Sequence, residues 1–248
     1  MNSFLWERKE ATKHNMFSNS KIFSQFPEVV SYIGTRDILL RAKQFHDEIP
    51  EIQIQVKKLE ETFGFSKAFF LAQCQSTEVV EITQKNLQET LFADACFTKL
   101  LNISLNVVVA DCVPILLYDW QKKIVGVIHA GWRGSAEKIL QKTLEVLRDK
   151  YASEMKDIAL FIWPSICGKC YEIGIEVASL FPNSFTQVGE SYFLDLKKEN
   201  LSQALAVGIL RENIEISLEC THELPETYFS YRREKQKANF VCGIGMKK

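Results

Sequence analysis

The chain has 248 residues, 46% hydrophobic and 25% charged, and a formal net charge of −1. That is enough apolar material for one large core or two small ones, and it gives no bulk electrostatic reason to expect binding to nucleic acid or an anionic membrane. No run reaches the roughly 18 uninterrupted apolar residues of a spanning helix, and the opening "MNSFLWERKEATKHN" lacks the apolar core of a secretion signal, so a cytoplasmic protein is expected.

Five β-like runs follow in chain order: "KAFFLAQ" from Lys67, "LNVVVADC" from Leu105, "PILLYD" from Pro114, "IVGVIHA" from Ile124 and "IALFIW" from Ile158. They are apolar on both faces, which predicts a sheet covered on both sides. "SAEKILQKTLEVLRDKY" places Ala136, Ile139, Leu140, Leu144, Leu147 and Tyr151 on one stripe, predicting an amphipathic helix with Ser135 as N-cap. "ENLSQALAVGI", from Glu199, reads as a second helix with Leu201, Leu205 and Ile209 facing in, and "EVASLF" near Glu176 as a short third. Glycine and proline are scattered, with neither repeat nor linker, so the expectation is a single α/β domain over residues 1–248 with a mixed sheet.

"PILLYD" and "IVGVIHA" are joined by the polar "WQKK", so they should pair antiparallel with partner numbers summing to about 242 or 243. Cys112 is then opposite residue 130 or 131, next to His129, and Pro114 marks a bend or end of its strand. A thiol beside an imidazole has three readings: an activated nucleophile, two ligands of a zinc ion, or incidental core residues. In "HAGWRGS", Gly131 and Gly134 bracket a turn suited to an anion, and Arg133 adds a positive charge or is simply solvated.

Seven cysteines, an odd number, fit reduced thiols better than a disulfide framework. Cys167 and Cys170 have the CxxC spacing of redox pairs and half zinc sites, without a second CxxC to complete one. "ETYFSYRREKQKANF" joins Tyr228, Phe229 and Tyr231 to Arg232 and Arg233, a combination that can stack a base and grip phosphate; an edge strand and charged turn explains it equally well. His14 and His46 read as solvated, and His222, beside Cys220, as a spare polar group.

"ADCVPILLYD", "HAGWRG", "CYEIG", "YFLDL" and "FSYRR", in this order, resemble the YfiH or laccase-domain family, whose members include purine nucleoside phosphorylases. The similarity runs from about Lys67 to Met246, with a divergent N-terminal segment of about residues 1–60. The resemblance implies a single α/β domain whose zinc is held by one Cys and two His, here Cys112, His129 and, in place of the second His, Gln75. An amide is a poorer zinc ligand than imidazole, so the zinc is weakly held, rescued by Cys74, or lost; Cys74 should point to the opposite face of a strand. "GTRDILLRAKQFHDE" keeps only Thr35 and Arg36 of the family's Gly-rich segment and turns helical, and its Gly-Arg appears here as Ala238-Asn239.

What the resemblance implies is phosphorolysis of adenosine, inosine or methylthioadenosine, with adenosine deamination. Cys112, His129 and Asp111 would be catalytic, and Arg36, Gln73, Gln75, Arg133, Tyr231 and Arg232 would bind nucleoside and phosphate. A second reading from the family is a peptidoglycan-precursor editing hydrolase that cuts an amide of a nucleotide-linked muropeptide. A third is a binding domain that has lost the chemistry. Copper chemistry has little support, because a blue-copper site wants two His and one is replaced.

Overall fold

The doubly apolar strands are covered on both sides because they form inner layers. The computed structural model describes residues 16–17, 20–36, 50–236 and 238–248. Its strands are β1 (Met16–Phe17), β2 (Val29–Gly34), β3 (Lys67–Phe70), β4 (Val79–Ile82), β5 (Ala95–Thr98), β6 (Ile103–Val109) and β7 (Val113–Asp119), followed by β8 (Ile124–Ala130), β9 (Ile158–Ile162), β10 (Glu172–Ile173), β11 (Phe185–Val188), β12 (Ser191–Leu194), β13 (Ile214–Ile216) and β14 (Phe240–Met246). The helices are α1 (Pro50–Phe63), α2 (Trp132–Ala136), α3 (Ile139–Tyr151), α4 (Ile175–Ala178), α5 (Leu196–Ala206) and α6 (Tyr231–Glu234). Among the described residues no helix is long and apolar enough to cross a membrane.

The predicted mixed sheet resolves into two large mixed sheets, β13-β9-β7-β8-β5-β4 and β1-β2-β14-β6-β3, and a small antiparallel one, β10-β12-β11. Side-chain alternation divides each large sheet between two neighbours. Leu116 and Tyr118 of β7 and Val125 and Val127 of β8 meet Leu105, Val107 and Val109 of β6 and Phe240, Cys242 and Ile244 of β14 between the sheets. The alternate residues Val113, Ile115 and Leu117 pack instead under Ile139, Leu140, Leu144 and Leu147 of α3, with Leu196 and Ala204 of α5. On the outer face of the other sheet, Tyr32, Phe70, Val108 and Val241 lie under Ile52, Leu59 and Phe63 of α1. The result is a mixed α/β fold of four layers.

The β7–β8 hairpin has the expected register, Val113 opposite Ala130 and Asp119 opposite Ile124. Pro114 does not end the strand: it lies inside β7, opposite His129, but the β9 ladder stops beside it, because the Trp163 amide donates to its carbonyl at 3.0 Å and the missing N–H cannot return the bond. Ser135 is not an N-cap: the helix begins earlier as α2 and breaks at Lys138, which has φ of 63°. The break lets Ser135 turn inward, where Asn200 Nδ2 donates to its hydroxyl at 3.0 Å. In α5 the inward face is Leu196, Lys197, Asn200, Gln203 and Ala204, while Leu205 is exposed; the helix starts at Leu196, behind the Asp195 cap and three residues before the expected Glu199. The helical reading after Arg36, with His46, and also His14, lie outside the described residues.

Glu28, just before β2, ties the sheets together: the Tyr118 hydroxyl and Lys123 Nζ both donate to its Oε1, at 2.6 and 2.8 Å. Those two hydrogen bonds hold its carboxyl well below the usual range, at about 2. A depressed carboxylate stabilises the fold fully above its unfolded pKa, and the contribution fades as pH falls through the folded value. Glu28→Gln should therefore cost about 1–2 kcal/mol near neutrality. In urea unfolding, the difference from wild type should shrink between about pH 4.5 and 2.

Candidate active site

The hairpin register sets the site, because residues 112 and 131 are the next pair beyond the ladder and His129 lies beside them. Cys112 and His129 line one cleft beside Gly131, where a side chain would bring a Cβ to 3.1 Å from the Cys112 sulfur and 4.0 Å from His129 Cε1. A larger residue at 131 would press on the thiol by a few tenths of an ångström. Behind the imidazole, Nδ1 is 2.7 Å from Asp94 Oδ1, and the His129 backbone N–H donates to the Asp94 carbonyl, also at 2.7 Å. The order is carboxylate, imidazole, thiol.

Burial opposes a charge on His129, but Cys112 and Asp94 beside it push the imidazole up to about 10. Burial likewise opposes the charge on Asp94; the imidazole and the Ser76 and Cys74 backbone amides hold it below the usual carboxylate range. Those amides reach Asp94 Oδ2 at 2.7 and 3.1 Å, with the Ser76 hydroxyl at 3.0 Å and the Cys74 thiol at 3.5 Å. Cys74 lies outside any strand, and its sulfur is turned to Asp94.

A cleft of about 390 Å³ opens over Cys112 and His129, lined also by Gln75, Asp111, Trp132, Arg133, Tyr171, Tyr231, Arg232 and Lys235. Arg133 lies over the Trp132 ring at 4.2 Å and donates to Gln75 Oε1 at 2.9 Å. Arg232 lies over the Tyr171 ring at 5.1 Å. The turn read as an anion site is instead α2, whose Ser135 amide already donates to the Gly131 carbonyl.

Asp111 is buried with φ of 88° and accepts from the Thr221 and Ser230 hydroxyls at 2.7 and 3.0 Å and from the Arg232 amide at 2.6 Å. Two other predicted binding residues are committed elsewhere. Gln73 lies beside β6 and exchanges hydrogen bonds with the Val108 backbone, and Arg36 pairs with Glu234 and lies 4.4 Å over the Phe229 ring; neither lines the cleft. Asp94, Trp132, Tyr171 and Lys235 were not singled out from the sequence. For Asp94 the signal was a carboxylate inside the apolar run "LFADACF".

Among the described residues, no third Cys, His, Asp or Glu gathers with Cys112 and His129 as a metal-binding group. Gln75 offers an amide already held by a guanidinium, whose fixed charge would face any cation placed there. The donor set does not fit the expected zinc, nor a copper centre. Another group does gather enough donors: Cys167, Cys170, Cys220 and Glu223 have ligand atoms within 4.8 Å of one another, an arrangement able to hold a metal ion.

Residues 39–247 match the family described as multi-copper polyphenol oxidoreductase laccase. A purine nucleoside phosphorylase of Aquifex aeolicus (strain VF5) is 34% identical over 181 residues, 73% of this chain and 84% of its own. An adenosine deaminase, RL5, from an unknown prokaryotic organism is 34% identical over 149 residues, 56% of each chain. The crystal structure of a Bacillus licheniformis hypothetical protein YfiH shares the fold, with a TM-score of 0.85, 24% identity and coverage of 94% of this chain and 97% of that one.

Asp94→Asn keeps the shape but turns an amide donor toward the imidazole or toward the donors of residues 74 and 76. Unfolding free energy should fall by about 1–3 kcal/mol. The His129 imidazole, followed by NMR titration, should lose its proton at lower pH than in wild type.

Proposed function

The chain belongs to the multi-copper polyphenol oxidoreductase laccase family, and on that premise we propose that it is a purine nucleoside phosphorylase working with its own side chains at the Cys112–His129 cleft. The observation that carries the reading is the lining of that cleft: three cations, Arg133, Arg232 and Lys235, beside three aromatic rings, Trp132, Tyr171 and Tyr231. A purine has a π-face to stack on such rings, and phosphate a charge for the cations. Adenosine, inosine and methylthioadenosine share both requirements.

In phosphorolysis a phosphate oxygen bonds to the ribose C1′ as the bond from C1′ to the purine nitrogen breaks, and the purine leaves with the electron pair and takes up a proton. On this reading His129 gives that proton. It lines the cleft and keeps its charge at neutral pH because Asp94 and Cys112 flank it. Asp94 fixes which ring nitrogen faces the cleft, as the carboxylate of a catalytic triad does. Asp111 acts by position: its three hydrogen bonds fix Arg232 at the rim. No step is assigned to a metal at this site.

The line from Asp94 through His129 to Cys112 favours one second reading, a thiol hydrolase cutting an amide of a nucleotide-linked muropeptide. The substrates separate the two. Purified protein with adenosine or inosine and phosphate should release free base and ribose 1-phosphate, and His129→Ala should slow this by about 100-fold or more. Arg133→Ala should raise the KM for phosphate more than it lowers kcat. Inert nucleosides with turnover of the muropeptide would replace the first reading by the second.

Gln75 has φ of 59°, a conformation histidine tolerates better than most residues. Gln75→His should complete a three-ligand site and raise bound zinc, by metal analysis, by about one equivalent per chain over wild type.

A further inference from the structure

We infer that Cys167, Cys170, Cys220 and Glu223 hold a zinc ion as a structural clasp, separate from the Cys112–His129 cleft. Their four ligand atoms lie within 4.8 Å of one another. Tetrahedral zinc with sulfur at about 2.3 Å places its ligands about 3.8 Å apart, so the group needs only a small contraction to close on an ion. Three thiols and a carboxylate leave no open position, which is the arrangement of structural rather than catalytic zinc.

The backbone is shaped for this. Cys167 and Cys170 sit on a tight turn in which the Cys170 and Tyr171 amides both donate to the Cys167 carbonyl, at 3.0 and 3.1 Å. Gly168 is required in that turn, because a Cβ there would stand 2.9 Å from Asp195 Cβ. The Cys220 sulfur accepts from the Cys167 amide at 3.2 Å, which turns it toward the other two thiols. Buried Lys197 donates to the Ser217 and Glu219 carbonyls at 3.0 and 2.9 Å and so pins the backbone that leads into Cys220. A groove of about 610 Å³ borders Cys167 and Glu223 and gives an ion a path in. Three sulfurs in mutual contact are also one too many for a single disulfide, and all are free thiols.

What the clasp joins gives it a purpose. Residues 165 and 220 form an isolated parallel bridge, with the Thr221 amide donating to the Ser165 carbonyl at 3.2 Å. Both segments then reach Asp111: Ile166 donates to its carbonyl at 3.1 Å, and the Thr221 hydroxyl to its carboxylate. An ion between the two segments would fix one wall of the cleft through Asp111.

The test is zinc content of the full chain purified under reducing conditions, with cobalt substitution as the second measurement. About one zinc per chain is expected, retained in Cys112→Ser and lost in Cys167→Ser or Cys220→Ser. Cobalt should give the intense visible bands of a tetrahedral site with sulfur charge transfer, and these should weaken in Glu223→Gln, whose altered residue is exposed and leaves the core untouched. Zinc that survives loss of Cys167 and Cys220, protein that binds neither zinc nor cobalt, or a disulfide within the trio in the freshly reduced chain would each overturn the clasp. None of these readouts depends on nucleoside turnover, so failure of the proposed activity leaves them unaffected.

Discussion

A carboxylate without exposed surface has to be satisfied by donors, and at Asp94 that requirement organises the whole cleft. One oxygen takes the imidazole of His129 and the other takes four donors from residues 74 and 76. The Asp94 carbonyl also takes the His129 amide, at the point where β5 meets β8. A single residue therefore fixes the imidazole, its charge and the path of the loop above it. Because the amides of Cys74 and Ser76 both turn inward, Gln75 between them is thrown outward in a left-handed conformation with its side chain over the cleft.

The part of this that was legible in the sequence is the part governed by local rules. A four-residue polar turn between two apolar runs sets the β7–β8 register, and the register alone brings Cys112 next to His129. The apolar stripe of α3 was legible for the same reason, since Ile139, Leu140, Leu144 and Leu147 follow the helical period. What failed depended on partners far along the chain. Ser135 is drawn inward by Asn200, which moves the helix start; Leu205 faces solvent because Asn200 and Gln203 take the inward positions to bond Ser135. Asp94 reads as a stray charge until the fold supplies its donors. Gln73 and Arg36 read as binding groups because nothing local shows that Val108 and Glu234 have claimed them.

Asp111 is the other buried carboxylate beside the Cys112–His129 pair, and it differs from Asp94 in what it accepts. Its partners are two hydroxyls and a backbone amide, none of them a proton donor of high basicity, so it serves as a brace between the loop before β7, Thr221 and the start of α6. The two carboxylates thus hold opposite sides of the Cys112–His129 pair: Asp94 sets the charge of the imidazole, and Asp111 sets the position of the arginine at the rim.

This division bears on why an amide is workable at position 75. The imidazolium is balanced locally by Asp94, whereas among the described residues Arg133, Arg232 and Lys235 form no ion pair with a carboxylate. Their charge is left for a ligand. A phosphate oxygen responds to the field at its position whether a metal ion or a guanidinium produces that field. Arg133, steadied by the Trp132 ring and the Gln75 amide, supplies positive charge over the cleft without requiring a third metal ligand. On the proposed reading, the exchange of histidine for glutamine changes the source of that charge and leaves the imidazole, which moves the proton, in place.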